Sequence, residues 1–314
     1  MARFDQSTGR YIYLEINGIE YRTYFEESGT GDIGILLQHT AGADGRQWRH
    51  VLEDKELQSK FRLISYDLPF HGKSVPPTSS EWWADEYKLT KEFLMQVPIE
   101  LSGALELDRP VYMGSSIGGH LAIDLALNHP SEFRAVVGLE ASAYTPGGYN
   151  DDFFHPRISN QYKASLMYGM MAPTSPQNFR QETSWVYSQG APAVFKGDLY
   201  YYSIDHDVRN TAQMIDTDIC SVDILNGEYD WSGTPEAGQE LANTIPGARY
   251  QTMKGLGHFP MSENPSLFLE QIKPVLHRIL SNKNKRFKPR TFRLVVVLDY
   301  PTIYTGLPAL KVKD

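Results

Sequence analysis

Residues 109–130 read RPVYMGSSIGGHLAIDLALNHP, and this stretch decides the fold. A short apolar run follows Pro110, and apolar side chains at helical spacing continue to Asn128, before Pro130. Between them lies Gly114-Ser115-Ser116-Ile117-Gly118-Gly119, a G-x-S-x-G turn from strand to helix. Such a turn holds its central serine at positive φ, so the residues two positions away must be small. Ser116 has Gly114 and Gly118 there, whereas Ser115 has Met113 and Ile117. Ser116 is therefore the candidate nucleophile. The helix after it turns free N–H groups towards the serine and favours developing negative charge.

Outward from this turn, strand and helix patterns alternate. YIYLEI (11–16) and IEYRTYFEE (19–27) flank Asn17-Gly18, a strong hairpin signal. DIGILLQH (32–39), FRLISYDL (61–68), FRAVVGLE (133–140), ICSVDILNG (219–227) and ARYQTM (248–253) read as strands. RQWRHVLEDKEL (46–57), DEYKLTKEFLMQVPIELSGALEL (85–107, interrupted near Pro98), PEAGQELANTI (235–245) and PSLFLEQIKPVLHRIL (265–280) read as helices. Strands separated by helices make βαβ units. The fold class is thus α/β, a mostly parallel doubly wound sheet with an antiparallel N-terminal hairpin. Residues 141–215 are rich in Tyr, Phe, Met, Pro and Gly and read as a helical insertion between two core strands. The division is core at 1–140 and 216–280, insertion at 141–215, and a C-terminal appendage of unknown role at 281–314. The appendage holds the basic run NKNKRFKPR, read as a solvated tail, and the strand-like FRLVVVLDY.

A serine hydroxyl needs a base, and the base needs an orienting carboxylate. In chain order Ser, acid, His, Asp230 follows a strand in DILNGEYDWSGTP, and His258 follows the next strand in MKGLGHFP. Both emerge at the carboxyl edge of the sheet, where doubly wound folds place their sites. Glu140, at the end of its own strand, is the alternative acid. The other eight histidines read as surface, loop or supporting residues, and Asp205-His206-Asp207 as a solvated helix end rather than a metal cluster. The oxyanion donors are the N–H of Ile117 and one from the loop after the third strand, Ala41 or, next, Thr40.

Composition limits the alternatives. A chain of 314 residues with 41% hydrophobic and 22% charged residues can bury a large core and is not mainly disordered. Its net charge of −8 argues against a nucleic-acid partner or a polybasic membrane-surface role. The single cysteine, Cys220, excludes an internal disulfide and a Cys-cluster zinc site, and fits a reducing, cytoplasmic location. Neither a secretory leader nor a membrane-spanning run is evident.

These motifs resemble the α/β-hydrolase superfamily over residues 11 to 280 or so. The resemblance rests on HTAG (39–42), DLPFHGKS (67–74), GSSIGG (114–119), NGEYD (226–230) and GLGHFP (255–260) in order. Thr40 and Phe70 stand where the family usually has glycine. The resemblance extends to cofactor-free members: meta-cleavage-product hydrolases, enol-lactone hydrolases, zearalenone-lactonase-like enzymes and aryl esterases. It implies that residues 141–215 are the cap, that some lactone-cleaving members would use an acid at the place of Glu140, and that no metal or organic cofactor is needed. The implied activity is cleavage of an ester or lactone in a mostly apolar or aromatic small molecule. Carbon–carbon bond hydrolysis, or a small-molecule receptor on the same scaffold, are the alternatives. Trp231, Tyr144, Trp185 and Tyr187 are candidate substrate-binding residues among the cap's aromatic side chains. The assembly expected is a monomer or homodimer, with the small-molecule substrate as the partner.

Overall fold

Asn17 and Gly18 both take positive φ, 52° and 75°, as a two-residue hairpin turn requires. They join β1 (Thr8–Ile16) to β2 (Ile19–Ser28). The structure, a computed structural model, describes residues 2–159 and 161–282. The appendage with FRLVVVLDY therefore lies outside the described residues, apart from Ser281 and Asn282. The other strands are β3 (Ile33–Gln38), β4 (Phe61–Tyr66), β5 (Val111–Ser115), β6 (Ala135–Leu139), β7 (Ser221–Gly227) and β8 (Arg249–Met253). Their order across the sheet is β1-β2-β4-β3-β5-β6-β7-β8. β2 pairs antiparallel with β4, and every pair from β4-β3 to β7-β8 is parallel.

The helices are α1 (Arg49–Leu52), α2 (Lys55–Lys60), α3 (Lys91–Ala104), α4 (Ile117–Asn128), α5 (Gln161–Gly169), α6 (Gln177–Ser188), α7 (Val194–Tyr200), α8 (Pro235–Thr244), α9 (Pro260–Glu263) and α10 (Pro265–Ser281). Parallel strands are buried on both faces, and successive side chains feed opposite cores. Val111 and Met113 join one buried cluster, with Trp48, Phe268 and Ile272. Tyr112 between them joins the other, with Leu36, Leu121 and Phe133.

Two sequence readings are corrected. Residues 46–57 are not one helix. A 3-10 turn and α1 end before Asp54, whose carboxylate caps α2 by accepting from Leu57 N at 2.9 Å. The helix expected from residue 85 starts at Lys91, and Pro98 lies inside it without ending it. The preceding segment is instead tied to the inserted helices, with Leu89 N donating to Gly197 O at 3.0 Å.

Between β6 and β7 the chain forms α5, α6, α7 and a π-helical turn at Tyr201–Asp205, with no strand among the described residues. Residues Met1–Lys283 form one compact unit. No described helix is long and apolar enough to cross a membrane.

Candidate active site

Ser116 caps α4 with φ 59° and ψ −112°, a conformation costing a non-glycine residue roughly 1–3 kcal/mol. Its N–H donates to Leu139 O at 3.0 Å. A Cβ on Gly114 would lie 2.6 Å from the Gly118 backbone, so the bend cannot close around a larger residue.

His258 Nε2 lies 3.0 Å from Ser116 Oγ, and His258 Nδ1 lies 2.7 Å from Asp230 Oδ2. These groups come from the turn between β5 and α4, the loop after β7 and the loop after β8, and all three are buried. Asp230 Oδ1 also accepts from Ser232 N at 2.8 Å. Burial would raise the Asp230 pKa, but His258 beside it, with hydrogen bonds from His258, Glu140 and Ser232, holds it below the usual carboxylate value.

Glu140 sits behind this pair, fully buried and at φ 58°. Its Oε2 accepts from Gly227 N at 2.8 Å, not from His258. Burial, then the negative charge of Asp230, push its pKa well up. Of the two candidate acids, Asp230 is the one that meets the imidazole, and the two pKa values are pushed in opposite directions. Glu228 points away, to Lys254 and Gly255 N.

The loop after β3 clarifies the oxyanion donors. Thr40 N donates to Gln47 Oε1 at 3.0 Å, and its hydroxyl bonds both Gln47 and the Tyr187 hydroxyl. That removes Thr40 from the donor set. Ala41 N and Ile117 N are left free of any backbone or side-chain acceptor seen among the described residues.

The four aromatic candidates separate. Tyr187 is buried, 5.3 Å from the Phe259 ring beside His258. Trp231 follows Asp230 and is 59% exposed. Tyr144 is half-buried beneath the Arg209 guanidinium. Trp185 is not brought to the serine: it is 57% exposed, with Arg46 over its ring.

Several supporting residues escape sequence reasoning. Glu263, buried, accepts from Gly257 N (2.7 Å) and Phe259 N (3.2 Å) on either side of His258, and from Ala172 N (3.1 Å) and Ser175 Oγ (2.9 Å) of the insertion. His120 Nδ1 bonds Ser116 O at 3.0 Å beneath the nucleophile. Tyr202 packs on the His120 ring at 4.3 Å, and its hydroxyl lies 3.2 Å from Ser232 Oγ. His206 is not solvated as the sequence suggested. It is buried against Asp124 at 2.8 Å, while Asp207 faces outwards to Arg209. No cluster of three or more metal-ligating side chains occurs among the described residues.

The profile of the alpha/beta hydrolase fold family matches residues 35–265. A curated relative, the 2-hydroxy-6-oxononadienedioate/2-hydroxy-6-oxononatrienedioate hydrolase of Burkholderia vietnamiensis, is 26% identical over 137 residues. That alignment covers 42% of this chain and 44% of the relative, so the chain spans under half the length of the curated relative it matches. Among solved structures, a thermophilic esterase from Thermogutta terrifontis superposes with a TM-score of 0.73 at 19% identity, over 86% of this chain and 99% of its own. The enol-lactonase from Burkholderia xenovorans superposes with a TM-score of 0.66 at 21% identity, over 85% of this chain and 100% of its own. The family profile runs from within β3 to the first residue of α10, across every element that positions the serine, the acid and the histidine, and the chain belongs to the α/β hydrolase fold family.

Proposed function

We propose that this protein is a serine hydrolase that cleaves an ester or lactone bond in a mostly apolar small molecule through Ser116, His258 and Asp230. The observation that carries this reading is the continuous hydrogen-bond chain of 3.0 Å and 2.7 Å from Ser116 Oγ through His258 to Asp230. Ser116 Oγ attacks the carbonyl carbon, and its proton passes to His258 Nε2. Ala41 and Ile117 N–H groups hold the oxyanion. The intermediate collapses as His258 returns the proton to the leaving oxygen, giving an acyl-Ser116 ester. His258 then takes a proton from water, which cleaves the ester and regenerates the serine. Asp230 stabilises the imidazolium in both halves.

Residues 141–215 act as a cap over this site. Ser116, His258 and Asp230 are each no more than 5% exposed, so a substrate reaches them only when that segment yields. Met170, Met171, Tyr187 and Phe195 bring apolar surface to its buried side, which supports an apolar acyl or leaving group. Tyr187 and Trp231 are assigned to the walls of the cleft.

A panel of ester, lactone, amide and carbamate substrates, with Ser116→Ala as the blank, tests the reading. Turnover of an ester or lactone that vanishes in Ser116→Ala is expected. Turnover confined to amides or carbamates would contradict the bond assignment. The second reading, hydrolysis of a carbon–carbon bond, is favoured by the name of the Burkholderia vietnamiensis relative. Rapid burst kinetics on a small aryl ester, set against turnover of a ring-cleavage product, separates the two.

A further inference from the structure

The inserted helix α7 carries a buried carboxylate that is absent from the chemistry above. Asp198 is fully buried, and its Oδ2 accepts from Gly42 N at 2.7 Å. Gly42 directly follows Ala41, whose N–H is assigned to the oxyanion. The same oxygen lies 2.7 Å from His71 Nε2, and Tyr87 OH donates to Oδ1 at 3.2 Å.

His71 Nδ1 lies 2.9 Å from Pro69 O. Both nitrogens of this imidazole thus face acceptors, which a neutral ring cannot satisfy. Burial would lower its pKa, but the Asp198 charge and hydrogen bond and the Pro69 carbonyl raise it overall. His39, whose ring lies 4.9 Å away, is the opposite case. Its Nδ1–H donates to Thr40 O, its Nε2 accepts from Leu68 N, and burial beside His71 pulls its pKa down to about 4. The other titratable groups around the pair are Asp44 and Asp67 from the loops after β3 and β4, Tyr87, Lys163 of α5 and Tyr187 of α6.

The insertion therefore grips the oxyanion loop on both sides of Ala41. Tyr187 bonds the Thr40 side chain, and Asp198 bonds the Gly42 backbone. Phe195 packs so closely on Gly42 that a Cβ there would lie 2.6 Å from its ring. We infer that Asp198, balanced by a protonated His71, is a positioning residue that aims the Ala41 N–H at the oxyanion, so that the hole is complete only when α7 is seated.

The inference rests on the serine-hydrolase reading, and its test is separable from it. Asp198→Ala should lower kcat on a small ester by roughly 10- to 100-fold, less than loss of a whole oxyanion donor. A boronic-acid analogue of the tetrahedral state should lose affinity by the same factor, while the carboxylic-acid product binds unchanged. Asp198→Asn should recover most of the rate, because an amide oxygen in the Oδ2 position still accepts from Gly42 N and from His71 Nε2–H, its NH2 faces the Tyr87 hydroxyl, and the charge that keeps His71 protonated is gone. The wild type should lose kcat at alkaline pH as His71 sheds its proton, and Asp198→Asn should not.

A folded Asp198→Ala with wild-type kcat, or one that loses analogue and product affinity equally, overturns the inference. If Asp198→Ala does not fold, the pH profile of Asp198→Asn decides, and an alkaline limb identical to the wild type's overturns it. An active Ser116→Ala would instead overturn the triad.

Discussion

Glu140 and Asp230 leave the ends of β6 and β7 as two buried carboxyl groups, of which only Asp230 faces His258 while Glu140 accepts from Gly227 N. Glu140 Oε1 meets no hydrogen-bond donor, and burial beside the charge of Asp230 favours the protonated form of Glu140. A neutral acid behind an ionised one is the arrangement by which neighbouring carboxyls take different roles.

Asp230→Asn removes the charge that stabilises the imidazolium, and kcat should fall by about 10³–10⁴. Glu140→Gln exchanges a neutral acid for a neutral amide that can still donate to Asp230 and accept from Gly227 N. Its kcat should stay within about 10-fold of the wild type, a factor worth one hydrogen bond. Rates of the two variants on one ester, measured at saturation, check the assignment, and the reverse order would make Glu140 the acid.

Stability should report the same proton. Folded Glu140 keeps its proton at pH values where an unfolded glutamate has lost it. The folded state then binds more protons, so this residue's contribution weakens as pH rises above the unfolded value of 4.5. Glu140→Gln has no such dependence. Melting temperatures measured from about pH 4 to about pH 8 should show the variant gaining on the wild type as pH rises. A constant difference would mean Glu140 is ionised when folded.

The serine bend makes a contrast between two glycines. A Cβ on Gly114 would meet the Gly118 backbone at 2.6–2.7 Å, where nothing can yield, whereas one on Gly118 would lie 3.2 Å from Gln38 O. Gly114→Ala should cost at least about 3 kcal/mol, and Gly118→Ala about 1 kcal/mol. Urea unfolding of both variants measures this, and equal costs would contradict the packing described.

Glu263→Ala strips the acceptor from four donors, two of which flank His258. The loss should be at least about 3 kcal/mol, since each stranded buried donor costs about 1–3 kcal/mol. Glu263→Gln, which keeps an acceptor oxygen, should lose less. Chemical denaturation with parallel kcat measurements tests both variants, and an Ala variant as stable as the Gln variant would refute the clamp.

The sheet was legible because its strands are short apolar runs and its helices carry a periodic face. Ser116, Asp230 and His258 were legible because each follows a strand at the same edge of the sheet. The insertion was legible as helices between two core strands, but the facing of its side chains was not. Trp185 and Tyr187 lie two residues apart on α6 and face opposite ways, and composition alone cannot orient them. Thr40 in place of glycine became intelligible only with Tyr187, 147 residues away. Asp198 and Glu263 read in one dimension as ordinary helix-surface charges, and only long-range partners explain their burial. Phe70 takes φ 73°, in the left-handed region that glycine adopts freely, with its ring against Tyr87 and Trp82.

Mass spectrometry after treatment with a fluorophosphonate, which labels only an activated serine, bears most directly on the hydroxyl at the sheet edge. A single adduct on Ser116, absent in Ser116→Ala and formed far more slowly in His258→Ala, is the predicted result. Undiminished labelling in Ser116→Ala, or an unmodified Ser116 in protein whose turnover the reagent has abolished, would contradict it.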